Sequence, residues 1–179
     1  MAHATNLTKC LAILAPFALT GTAPALADTA RPAGATDFLK ALEGRWEGGG
    51  DVLVRTNRSP LKVRCEVDVE ADAPSFNLAG DCGALFVKRP IDVTLEKTGD
   101  AYTGVYTGSR SGPAKLAGAR VDDSLSLTVT WAREINGDET AQMTLIKESD
   151  DAMRLITEDL DPETRKTVVT SDIALTRVD

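Results

Sequence analysis

The chain has 179 residues, 27 of them acidic and 20 basic, for a net charge of −7. That balance argues against nucleic acid and anionic lipid surfaces as main partners. The single histidine, His3, sits near the N-terminus, so a histidine-centred catalytic triad or a histidine-ligated zinc site is excluded from the rest of the chain.

Residues 1–27 read as a signal peptide. "MAHATNLTKC" has one lysine and no acid, "LAILAPFAL" is an apolar stretch too short to span a bilayer, and "APALA" ends in a small-residue cleavage site at Ala27. The alanine-rich leader has a bacterial character, so the expected location is the periplasm or outside the cell. Removing the leader's lysine takes the charge from −7 to −8. Residues 28–35 are expected to form a flexible arm, and residues 36–179 one domain with one core. No later segment is long and apolar enough for a transmembrane helix.

Thr36 to Gly44 is expected to be a short helix, capped by Thr36 and ended by Gly44, with Phe38, Leu39 and Leu42 on one face. After it the period becomes two. Trp46, Gly48, Gly50, Val52 and Val54 share one parity. In "LKVRCEVDVE", Leu61, Val63, Cys65, Val67 and Val69 face one way and charged residues the other. "FNLAGDC" returns after a turn around Ala71 to Pro74. Placing Cys65 opposite Cys82 sets Val67 against Gly80, Val69 against Leu78, Val63 against Ala84 and Leu61 against Phe86. A slip of one residue would break every one of these matches. Directly opposed cysteines in an exported chain favour a structural disulfide, worth roughly 3 kcal/mol for a loop of this size.

The alternation continues through Ile91, Val93 and Leu95, then Tyr102, Gly104 and Tyr106, then a weaker segment over Pro113 to Val121. "SLSLTVTW" places Leu125, Leu127, Val129 and Trp131 inward. At "EINGDE" a three-residue loop, Ile135 to Gly137, is expected; it pairs Trp131 with Ala141, Val129 with Met143 and Leu127 with Leu145. Met153 and Leu155 follow, then a polar loop, then Ile173, Leu175 and Arg177 on a final strand. The pattern predicts an all-β fold: a single antiparallel meander of eight to ten strands closed into a barrel, with the short helix plugging one end. A two-sheet sandwich is the alternative.

A short helix followed by Gly44-Arg45-Trp46 at the first strand, with Arg177 on the last, resembles the lipocalin and calycin pattern. The resemblance implies a small β-barrel with Trp46 at the closed end and Arg177 packed across it, which a guanidinium over an indole favours physically. "YTGVY" and "LTVTWA" also resemble avidin-like barrels, although two tryptophans are too few for a biotin cage. Gly44, Arg45, Trp46, Cys65, Asp81 and Cys82 resemble bacterial periplasmic inhibitors of secreted metalloproteases. That resemblance implies an N-terminal arm, Asp28 to Gly34, acting on a protein partner.

Candidate chemistry is sparse. Acidic pairs such as Asp122–Asp123 and Asp150–Asp151 fall at turns, and Asp159, Asp161 and Glu163 lack the spacing of a calcium loop. No nucleophile is spaced with a base, so an enzyme is not expected, nor a metal or other cofactor. The sequence favours a non-catalytic periplasmic protein that binds a small, largely apolar molecule, with Tyr102, Tyr106, Trp131 and Met143 lining the barrel pocket. The alternatives are a protein-interaction or protease-inhibitor module working through its arm on an envelope or secreted protein, and a structural envelope protein with a filled core.

Overall fold

The computed structural model describes residues 38–108 and 110–178; the leader, the arm and Thr36 lie outside them. Ten strands form in chain order: β1 (Gly44–Val52), β2 (Leu61–Asp72), β3 (Ser75–Ala84), β4 (Val87–Thr98), β5 (Ala101–Thr107), β6 (Ala114–Val121), β7 (Ser124–Ile135), β8 (Asp138–Lys147), β9 (Ala152–Leu160) and β10 (Thr167–Val178). Each pairs antiparallel with its sequence neighbours, and β1 pairs with β10, so the sheet closes into a barrel. Closure excludes the sandwich. It also explains the period-two pattern, since every strand shows one face to the interior and one to water.

Before β1 the chain is helical at Phe38–Lys40 and turns through Leu42 N–H to Leu39 C=O (3.0 Å) and Glu43 N–H to Lys40 C=O (3.2 Å). Phe38, Leu39 and Leu42 are buried. Gly44 leaves this turn at φ +132°, and an added Cβ there would lie 2.5 Å from Arg177 Nη1. Only a residue without a side chain fits at this point.

The predicted clip is present. Trp46 pairs with Arg177 across β1 and β10, its ring is fully buried, and its indole N–H donates to Leu42 C=O at 2.9 Å. The Arg177 guanidinium carbon stands 4.3 Å from the ring centroid. Its Nη2 donates to Ala41 C=O (2.8 Å) and Asp150 C=O (2.9 Å), its Nε to Asp150 C=O (3.0 Å), and its Nη1 to Glu43 C=O. One side chain thus ties the helical turn, the first strand, the last strand and the β8–β9 loop together at the closed end.

Cys65 and Cys82 are register partners and form a disulfide, with Cα atoms 4.1 Å apart. Val67 meets Gly80 and Val69 meets Leu78, as the sequence predicts. The two further pairs, Val63–Ala84 and Leu61–Phe86, do not form: the β2–β3 ladder ends at Arg64–Gly83. Leu85 and Phe86 are instead the two-residue turn between β3 and β4, and Phe86 is fully exposed. The period of two continues through "GALFV", so alternation alone does not reveal that the chain reverses there.

The β7–β8 hairpin also differs. Its turn is Asn136–Gly137, at φ +53° and +93°, closed by Ile135 opposite Asp138. Further in, Val129 meets Ala141, Leu127 meets Met143 and Leu125 meets Leu145. The expected pairing is off by two positions, which leaves the inward faces unchanged. The cause is an irregularity that sets Trp131 to Glu134 on β7 against Glu139 alone on β8. Such an insertion bends the hairpin end. The ambiguous segment before Val121 is a regular strand, β6.

Candidate functional site

The register divides the barrel into two halves. The closed half holds the helical turn, Trp46, Leu42 and the strand ends near Asp72, Thr98, Val121 and Lys147. The open half holds the β1–β2, β3–β4, β5–β6, β7–β8 and β9–β10 connections. Inward residues of the closed half and the middle pack tightly: Leu95, Leu116, Leu125, Leu127 and Met153 are at most 2% exposed. Val52, Val63, Cys82, Ile91, Tyr106, Trp131 and Leu155 pack against this core but are only partly buried. All but Leu155, at the middle of β9, lie toward the open half.

The structure brings together two of the four residues the sequence assigns to a pocket. Tyr106 and Trp131 meet edge to face, with ring centroids 6.2 Å apart and planes at 68°. Burial pushes the Tyr106 hydroxyl above its ordinary pKa. The Trp131 indole N–H is buried and has no hydrogen-bond partner. Met143 sits in the wall between Leu127 and Thr157 and is fully packed. Tyr102 lies four residues from Tyr106 along β5, toward the closed end, and is 1% exposed. Lys97 Nζ stands 5.8 Å from its ring centroid. Burial raises its pKa, against the opposing charge of Arg120. Its hydroxyl, too, is buried without a partner.

Sequence reasoning missed a polar side to the open half. Thr157, Asp159 and Thr170 are buried there. Asp159 accepts from Asn136 Nδ2 at 2.9 Å and from the Leu160 N–H at 2.8 Å. Burial raises the Asp159 carboxyl above the usual carboxylate range, opposed by these two donors. The signal was available: Met153, Leu155, Thr157 and Asp159 share one parity. The bent end of β7 delivers Asn136 to Asp159, and Gly137 packs on Pro162, an added Cβ falling 2.9 Å from the proline Cβ. The tip of the β7–β8 hairpin therefore rests against the β9–β10 connection.

Other sequence features resolve into local structure. Asp161 accepts from Thr164 N–H (2.7 Å) and Oγ1 (2.8 Å), which holds its carboxyl below the usual range. Arg133 clamps the β5–β6 loop through the carbonyls of Arg110 (2.6 Å) and Ser111 (3.3 Å). Among the described residues no group of three His, Cys, Asp or Glu side chains is placed to hold a metal ion. No described helix is long and apolar enough to cross a membrane. A depression of about 430 Å³ lies along β1 and β2, bordered by Glu47, Arg64 and Glu66; none of the four predicted residues lines it.

No known family's sequence profile matches the chain, and no curated protein sequence matches it. The fold does have solved counterparts. The crystal structure of Rv2717c from M. tuberculosis superposes with a TM-score of 0.64 at 15% identity, over 82% of this chain and 99% of that one. The similarity is one of fold alone: a closed antiparallel barrel.

Proposed function

We propose that this protein is a non-catalytic carrier that holds a small, largely apolar molecule in the open half of its barrel, acting in the periplasm or outside the cell once its leader is removed near Ala27. The unpartnered indole N–H of Trp131 carries the reading. A buried donor left without an acceptor costs about 1–3 kcal/mol, so an acceptor that reaches it gains most of that back. It sits beside the Tyr106 ring among half-buried apolar side chains, so the ligand that fits is an apolar body carrying at least one hydrogen-bond acceptor. Asp159, Thr157 and Thr170 add buried polar groups on the β9–β10 side of the open half.

The test uses the two tryptophans. Trp46 is sealed and hydrogen-bonded at the closed end, so the Trp46→Phe variant reports from Trp131 alone. Native mass spectrometry of the protein from its own host should reveal a bound small molecule. Adding that molecule to stripped protein should shift Trp131 fluorescence, and Trp131→Phe should weaken binding roughly 3- to 10-fold through one lost hydrogen bond. Repeated absence of any bound molecule, or binding that leaves Trp131 fluorescence unchanged, refutes this site.

A further inference from the structure

The closed end of the barrel is acidic, whereas one side of the open end is basic; the β7–β8 and β9–β10 side of that end is acidic. The closed-end turns, residues 70–75, 96–101, 120–125 and 147–152, contain nine acidic side chains and three basic ones. The open-end segments on the β1–β6 side, residues 53–64, 83–90 and 108–113, contain seven basic side chains and no acid. The overall negative charge therefore conceals a basic rim on one side of the mouth. Lys62 is paired with Asp51 (2.7 Å) and Lys88 with Glu66 (3.7 Å), whereas Arg55, Arg58 and Arg89 form no ion pair with any described residue.

The same rim is apolar at its tip. Leu85 is 95% exposed, Phe86 100% and Val87 62%, with Val54 (56%) and Leu61 (43%) on the neighbouring strand ends. Val54 and Leu61 flank the β1–β2 connection, which neighbours the β3–β4 turn at the open end because β2 and β3 are adjacent strands. The turn residue itself is unusual. The other two-residue turns with a left-handed residue place Gly99, Asp122, or Asn136 and Gly137 there, residue types that adopt it readily. At the β3–β4 turn Leu85 takes that conformation at φ +53°, and Phe86 beside it packs on nothing. Folding of the barrel does not account for this pair.

We infer that the open rim docks on an anionic phospholipid surface, the Leu85–Phe86 tip entering the headgroup boundary while Arg55, Arg58 and Arg89 meet lipid phosphates. Exposed apolar side chains with arginines on the same strand and on the neighbouring connection satisfy both parts of interfacial binding, apolar burial and attraction to anionic headgroups. The acidic closed end then points away from the membrane, and the β1–β6 side of the mouth faces it. This surface goes beyond the proposed carrier function and stands whether or not the barrel interior holds a ligand.

The test is sedimentation of the full chain with vesicles of phosphatidylethanolamine and phosphatidylglycerol. Binding is expected, falling roughly tenfold on vesicles of phosphatidylcholine alone and falling again as salt is raised. The double variant Leu85→Asn/Phe86→Ser and the triple variant Arg55→Gln/Arg58→Gln/Arg89→Gln should each lose roughly tenfold. All five positions are at the surface, so thermal unfolding followed by circular dichroism should be unchanged. The rest of the chain is common to every variant, so any contribution of the leader cancels. Variants that bind as tightly as the parent overturn the inference, as does equal binding to neutral vesicles. Absence of vesicle binding together with a protein captured by a photocrosslinker at position 86 overturns it in favour of a protein partner. Trp131 fluorescence with a ligand added should be unaffected by these variants, so failure here and failure of the carrier reading are distinguishable.

Discussion

Replacing Arg177 with methionine keeps the length and apolar body of the side chain while removing the guanidinium. Its cation–π contact with the buried Trp46 ring is worth about 1 kcal/mol. Three backbone carbonyls, those of Ala41, Glu43 and Asp150, lose a charged donor. The Arg177 side chain is only 25% exposed, but the carbonyls can recruit water once it is gone, so each contributes about 1 kcal/mol rather than the upper figure for a charged hydrogen bond. The total is about 4 kcal/mol, or a fall in Tm of roughly 10 °C for a domain of this size. Urea unfolding followed by circular dichroism, with the disulfide intact, measures it. Arg177→Lys should recover only about a third, because an ammonium lacks the fork that reaches several acceptors at once. A double-mutant cycle with Trp46→Phe should show a coupling of about 0.5–1 kcal/mol. A loss below about 1 kcal/mol for Arg177→Met would refute the idea that this residue clips the barrel shut.

Two other predictions concern stability. The Cys65→Ala/Cys82→Ala variant should lose about 3 kcal/mol, since the bond closes a short loop across adjacent strands, and a chemical unfolding curve matching the parent would contradict this. On the outer wall, Arg154 binds Asp172 with two 2.6 Å hydrogen bonds, which hold the Asp172 carboxyl below its ordinary range. A depressed carboxylate contributes stability that is fully present above its unfolded pKa and is lost as pH falls through its folded pKa. Asp172→Asn should therefore cost about 0.5–1 kcal/mol at neutral pH, discounted because both side chains are more than a third exposed. The difference between parent and variant should shrink as the pH drops below the usual aspartate range; a difference constant with pH would show that the pair contributes nothing through charge.

The architecture was legible because a half-buried strand writes its two faces into alternate residues. "LKVRCEVDVE" and "SLSLTVTW" left little freedom in register, and Cys65 against Cys82 fixed one pairing outright. Closure was legible because so long a meander must hide its edges, and the Trp46–Arg177 contact through the resemblance to the lipocalin pattern. The rest failed where alternation runs on through a reversal or is interrupted. Phe86 continued the apolar parity and so read as an interior residue. Trp131 to Glu134 broke the ladder without breaking the sequence pattern, which shifted the β7–β8 pairing by two. The open-half interior was only partly readable: parity marked Tyr106 and Trp131 as inward, but nothing local says that Tyr102, on the same strand and parity, lies toward the opposite end. Asp159 was read as a loop acid because its charge outweighed its parity.

The pairing of β1 with β10 also sets an order of events. Residues 44–52 cannot acquire their second neighbour until residues 167–178 exist and have been released, so the wall stays unsealed while everything between them is made. Such distant pairing is slow to form and leaves bare ladder edges on view in the meantime. A chain cut short before its final strand would keep two of them, on β1 and β9, and would be expected to stick to other copies rather than merely lose a little stability.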